Sequence, residues 1–260
     1  MAFIEIEHAG KVYTNPAGEK FRALNDVNLE IERGEFVCLL GPSGCGKSTL
    51  LSALAGFDLA TEGRVAVDGE EVRGPSPERV TIFQQYGLLP WRTVLGNVEL
   101  GLEGRRGLSK AERDSTAYEY LALVGLEDFA SAHPNELSGG MQQRVSIARG
   151  LAVNPEVLFM DEPFGALDAI TRMKLQDDIL RIAKETGKTV VFVTHDIEEA
   201  VYLSDRIVVM TPNPGRVKSV VEVPMSWGFR DRTSEDFVAC RDKVFAIFNM
   251  KHEPEIEYVI

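Results

Sequence analysis

The segment Gly41-Pro42-Ser43-Gly44-Cys45-Gly46-Lys47-Ser48 follows the unbroken apolar run Phe36-Val37-Cys38-Leu39-Leu40, an order that forces a buried strand, a tight loop and a helix in succession. It fits the pattern Gly-x-x-x-x-Gly-Lys-Ser/Thr, in which glycines let backbone N–H groups close around phosphate oxygens. The helix starting near Lys47 aims its positive end at the same place, and Ser48 can ligate Mg²⁺. Residues Gly41 through Lys47, with Ser48 and Thr49, are therefore expected to cradle a nucleoside triphosphate. A Gly-rich turn matching by accident is the competing reading, and the completeness of the match argues against it. Cys45, inside the loop and near a helix start, is expected to have thiolate character.

A chain of 260 residues with 44% hydrophobic content can bury one large α/β core or two unequal lobes. No apolar run approaches the roughly 20 residues of a membrane helix, and Met1-Ala2-Phe3-Ile4-Glu5 lacks the order of a signal peptide. The expectation is a soluble, cytoplasmic protein. Cys38, Cys45 and Cys240 lack metal-type spacing and read as reduced thiols. A net charge of -12 argues against nucleic acid as the main partner.

Alternation in Phe3-Ile4-Glu5-Ile6-Glu7, in Val27 to Glu32 and in Gly63 to Gly69 predicts half-exposed antiparallel strands, with Asn15-Pro16-Ala17-Gly18 as a turn. Val157-Leu158-Phe159-Met160 and Val190-Val191-Phe192-Val193 are unbroken and, with Phe36 to Leu40, predict a parallel sheet buried on both faces. From Tyr86 to Gly150 the pattern turns helical: Ser109-Lys110-Ala111-Glu112 is a capping box, and Met141, Val145, Ala148 and Ala152 fall on one face. The expected layout is one domain over 1–260. A core with its antiparallel part spans 1–85 and 151–212, an inserted helical lobe 86–150, and a C-terminal extension 213–260 too short for a full regulatory domain.

Asp161 and Glu162 end a buried strand, where open parallel sheets collect ligands. Asp161 is placed to hold Mg²⁺ and Glu162 to polarise a water attacking the γ-phosphate. Ser138-Gly139-Gly140 opens a helix in another lobe and reads either as an ordinary entry turn or as a second anion site, which a second chain could supply.

Taken in order, these segments resemble the ATP-binding cassette (ABC) family, whose signature Leu-Ser-Gly-Gly-Gln or a close variant corresponds to Leu137-Ser138-Gly139-Gly140-Met141. The resemblance covers about 210 residues and departs from the signature at Met141, which spares the Ser-Gly-Gly donors. It implies a P-loop NTPase of the ABC type: a mostly parallel sheet, an antiparallel β subdomain and an inserted helical subdomain. It further implies a head-to-tail dimer, of two copies or of two different cassettes, in which Ser138 and Gly140 of one subunit contact the γ-phosphate held by Lys47 of the other. Gln84 would touch Mg²⁺ and sense the membrane partner, with Gln85 the alternative register. His195 would contact the γ-phosphate, Asp168 would link the two sites, and Tyr13 would stack on adenine. Taken alone, His195 reads as a strand-end histidine, and Tyr13 or Phe21 as a packed strand aromatic. Gly87 to Val94, Glu162 to Ala169, Thr194 to Ala200 and Pro214-Gly215-Arg216 look like the nitrate, sulfonate, taurine and bicarbonate importer branch. That branch implies ATP and Mg²⁺ as cofactors and a peripheral place on the cytoplasmic side of the inner membrane below two permease subunits. A separate periplasmic or lipoprotein binding protein would capture the solute. An exporter ATPase, and a permease-free switch ATPase, are the alternatives; the exposed Leu88-Leu89-Pro90-Trp91 segment beside Gln84 favours docking on a membrane partner.

Overall fold

The computed structural model describes residues 2–104, 107–165, 167–226 and 230–249. In chain order the strands are β1 (Ile4–Thr14), β2 (Lys20–Ile31), β3 (Phe36–Leu40), β4 (Glu62–Val67), the short β5 (Glu70–Glu71), β6 (Arg79–Ile82), β7 (Val157–Asp161), β8 (Thr189–Thr194), β9 (Arg206–Thr211) and β10 (Arg216–Glu222). They form a four-stranded sheet in the order β2-β1-β4-β5 and a six-stranded sheet in the order β10-β9-β3-β8-β7-β6. The first is antiparallel throughout, as its alternating pattern requires. The second is parallel except for β10, which runs antiparallel along β9 at the edge.

Strand side chains alternate faces, and the unbroken apolar runs serve two cores at once. Phe36, Cys38 and Leu40 of β3, with Leu158, Met160, Val190 and Phe192 from its neighbours, face a core shared with the helical lobe and the C-terminal helix. Val37, Leu39, Phe159, Val191 and Val193 face the other way, into a core closed by the antiparallel sheet and the helix after the phosphate loop.

The helices are α1 (Lys47–Ala55), α2 (Val94–Glu99), α3 (Lys110–Leu123), α4 (Gly139–Ala152), α5 (Ala169–Thr186), α6 (Ile197–Leu203) and α7 (Glu235–Asn249). Their starts follow local chemistry. Thr93, Ser109, Ser138, Asp168 and Asp196 each accept a backbone N–H from the first turn. At Ser109 the reciprocal bond from Ser109 N–H to Glu112 completes the capping box at 2.7 Å. Helix α4 continues to Ala152, so a lobe boundary at Gly150 would cut its last turn.

The C-terminal extension builds onto the rest through β10 and α7, whose Phe237, Cys240 and Val244 are buried. Positions 227–229 and 250–260 of the extension lie outside the described residues. At its start Gly215 donates to Ala23 O and accepts from Asn25 N–H, both at 2.9 Å. A Cβ on Gly215 would press on the Cys45 and Ala23 carbonyl oxygens, so glycine lets the backbone seat directly beneath the phosphate loop.

Candidate active site

The phosphate loop joins β3 to α1. Gly46 caps α1 in the left-handed region at φ 94 and contributes no side-chain cap, which suits a helix whose first N–H groups serve an external anion. Lys47 is buried, and its ammonium donates to the loop's own carbonyls, Gly41 O at 2.7 Å and Pro42 O at 3.1 Å. Cys45 corrects the expectation of a reactive thiolate. Its side chain turns into the core and is fully buried, and burial raises the thiol above its ordinary range, outweighing Lys47 and nearby backbone N–H groups. The thiol occupies the space a Gly41 side chain would need, since a Cβ there would lie 2.5 Å from Cys45 Sγ.

Beside the loop stands the end of β7. Ser48 Oγ donates to Asp161 Oδ1 at 3.1 Å, bringing a hydroxyl and a carboxylate together as hard oxygen donors of the kind Mg²⁺ accepts alongside water and phosphate. Burial raises the Asp161 carboxyl, and Glu162 adds to the effect, while Ser48 and Lys47 oppose it. Among the described residues no three acidic, histidine or cysteine side chains cluster as a metal cage. Glu162 holds φ 45, a left-handed conformation that costs a non-glycine residue on the order of 1 kcal/mol or more. The turn leaves its Oε1 3.4 Å from His195 Nδ1. Gln84 is exposed and reaches over Gly165, where a Cβ would lie 2.7 Å from its amide nitrogen.

Tyr13 and Phe21 face each other across the β1–β2 pairing and line a cavity of about 370 Å³ with Ser43, Gly44, Gly46, Lys47, Ser48, Thr49 and Glu162. Tyr13 is not simply a packed strand aromatic: it is 39% exposed, and its hydroxyl donates to Asp58 Oδ2 at 2.7 Å. Phe21 is more exposed still.

Ser138, Gly139 and Gly140 are absent from that cavity's lining. Ser138 is exposed at the start of α4, and Gly140 packs so closely on Thr171 of α5 that a Cβ would overlap its methyl. Asp168 caps α5 through Ile170 and Thr171 N–H groups, and its bonds to Thr171 hold its carboxyl below the usual range. Its neighbour Ala166 lies outside the described residues.

Sequence reasoning missed two supporting residues, Asn97 and Arg149. Asn97 is buried; its side chain accepts from Leu89 N–H at 2.7 Å and donates to the Leu89, Arg92 and Thr93 carbonyls. That pins the loop from Leu89 to Thr93 and leaves Trp91 outside at 73% exposure. Arg149 of α4 holds the Tyr86 and Gly87 carbonyls in the same way. An asparagine inside a short apolar helix was the available signal for the first.

Comparison with known proteins places this geometry in context. The ABC transporter family pattern matches residues 24–165. An uncharacterized ABC transporter ATP-binding protein of Methanocaldococcus jannaschii is 51% identical over 94% of this chain and 90% of its own length. The nitrate import ATP-binding protein NrtD of Synechococcus elongatus is 44% identical over 94% of this chain and 88% of its own. The bicarbonate transport ATP-binding protein CmpC of Synechocystis is 49% identical over 85% of this chain, which spans only 33% of that protein. Among solved structures, a dimeric ATP-binding cassette in a post-hydrolysis state with ADP and Pi superposes with a TM-score of 0.74 at 38% identity, covering 86% of this chain and all of that one.

Proposed function

This chain belongs to the ABC transporter family, and we propose that it is the ATP-hydrolysing subunit of an importer for a small anion such as nitrate or bicarbonate. One observation carries the catalytic part of the reading: the phosphate loop, the Ser48–Asp161 pair and the Glu162–His195 pair meet at the end of one parallel sheet. Loop N–H groups and Lys47, once released from Gly41 O and Pro42 O, bind the phosphates, and Tyr13 takes the base. Ser48, Asp161 and Gln84 would hold Mg²⁺, which when bound neutralises phosphate charge. Glu162 takes a proton from water as the water oxygen bonds to the γ-phosphorus and the bond to the ADP oxygen breaks. His195 steadies Glu162 and the γ-phosphate side of the pocket.

Ser138, Gly139 and Gly140 stand apart from this cavity, which supports their action in trans on a second cassette's nucleotide, with Asp168 between the sites. The solute class comes from the nitrate and bicarbonate relatives. Trp91 and the loop around it provide a surface for a permease pair, which would hold the chain at the cytoplasmic face of the membrane and be fed by a separate binding protein. The test is ATP hydrolysis by vesicles that combine the chain with a candidate permease pair and binding protein. Nitrate or bicarbonate should accelerate ATP hydrolysis only with the full set; hydrolysis indifferent to permease and solute would remove the importer reading and leave a free-standing ATPase.

A further inference from the structure

Thr194, the last residue of β8, uses its hydroxyl twice. Oγ1 accepts from the Asp196 backbone N–H at 3.0 Å and donates to Glu199 Oε2 at 2.7 Å. These bonds bracket the peptide that carries His195, and the Asp196 carboxylate caps the helix on which Glu199 stands. Glu199 is 7% exposed, and a carboxylate so placed is tolerated only when its oxygens are paired. Its other oxygen accepts from Gln176 Nε2 at 3.3 Å, with Arg172 Nε at 3.8 Å.

The chain of bonds continues outward. Gln176, also buried, accepts at Oε1 from Arg232 Nη2 at 2.6 Å, and the Arg232 guanidinium lies 3.8 Å over the Tyr202 ring. The amide is thereby oriented, oxygen towards the arginine and nitrogen towards the carboxylate. Glu199 and Arg172 also line a small cavity of about 80 Å³ together with Glu162 and His195. One continuous path of hydrogen bonds thus runs from the segment beyond β10, through α5 and α6, to the strand end that presents His195.

We propose that Glu199 is a positioning residue that sets the aim of His195 towards Glu162, and that Arg232 completes its support through Gln176. A carboxylate this buried needs partners whatever its role; what ties this one to His195 is that its partner Thr194 Oγ1 also accepts from Asp196 N–H, across the peptide that carries His195. The C-terminal segment then acts on the rate of hydrolysis without touching nucleotide. This inference rests on the ATPase reading above, so its test has an arm independent of turnover.

That test compares the full-length wild type, Glu199→Ala, Arg232→Gln and the reciprocal exchange Gln176→Glu with Glu199→Gln. It reads kcat and KM for Mg-ATP, and the ring resonances of isotopically labelled His195. Glu199→Ala should lower kcat about ten-fold while KM moves less than about two-fold, as expected of a group acting through another. His195 resonances should shift or broaden in an otherwise dispersed spectrum. Arg232→Gln should move both readouts the same way, by less. The exchange keeps one amide against one carboxylate and should restore kcat to within about three-fold of wild type. A folded Glu199→Ala protein with wild-type kcat and an unmoved His195 would overturn the proposal. So would failure of the folded exchange variant to recover. Where Glu199→Ala does not fold, unchanged kcat and His195 resonances in Arg232→Gln overturn it. A wild type that binds but never hydrolyses ATP removes the ATPase reading instead, and the resonance arm still decides the positioning.

Discussion

Glu162 and Cys45 both sit where type and orientation separate. Residue type is written in the sequence: Lys47 and Ser48 could be picked out by the spacing of the phosphate loop, and Asp161 and Glu162 by their place at the end of a buried apolar run. Orientation is not: the left-handed φ of 45 at Glu162 and the inward turn of Cys45 depend on what surrounds each loop. For Cys45 the consequence is measurable. Its thiol is fully buried and raised by that burial, so maleimide should leave Cys45 of the native protein unmodified, by mass spectrometry, over a time that fully labels a denatured control. Rapid native labelling that Mg-ATP suppresses would mean that the thiol faces nucleotide.

Elements in the parallel core were legible because a strand buried on both faces carries an unbroken apolar run, as β3 does over its whole length and β7 and β8 do apart from their polar terminal residues. The tail was not. In α7 only Phe237, Cys240 and Val244 are buried, and β10 is mostly half-exposed, so their place is dictated by distant partners rather than by local pattern. The α2–α3 pair shows another effect invisible locally. Burial, a hydrogen bond with Asp114 and its negative charge raise Glu99 from 4.5 to about 7, against Lys110 and Arg113. The folded lobe therefore favours the protonated form of Glu99. Its stabilising contribution is full below the unfolded pKa and is lost as pH rises through about 7. Thermal midpoints followed from about pH 5 to about pH 8 should show Glu99→Gln gaining on the wild type as pH rises. Parallel profiles would mean that Glu99 ionises freely.

At the scale of the whole molecule, two cores meet at the six-stranded sheet and place the phosphate loop, the Glu162 turn and the Gln84 segment together at the C-terminal ends of β3, β7 and β6. The same arrangement holds Trp91 outside, with Asn97 bonding the loop beneath it. A buried tryptophan would cost about 3 to 5 kcal/mol on truncation, whereas an exposed side chain typically costs within about 0.5 kcal/mol. Trp91→Ala should accordingly leave the thermal midpoint and nucleotide affinity of the free subunit nearly unchanged while weakening co-purification with its permease. A destabilised free subunit with unchanged permease binding would contradict the docking role. The central claim, that the site at these strand ends hydrolyses ATP with Glu162 as base, is tested most directly by steady-state Mg-ATP turnover of the wild type against Glu162→Gln, with nucleotide affinity measured in parallel. The expected result is wild-type hydrolysis and a loss of about 10² to 10⁴ in kcat in the variant, with ATP still bound. Near-normal turnover in Glu162→Gln would contradict it.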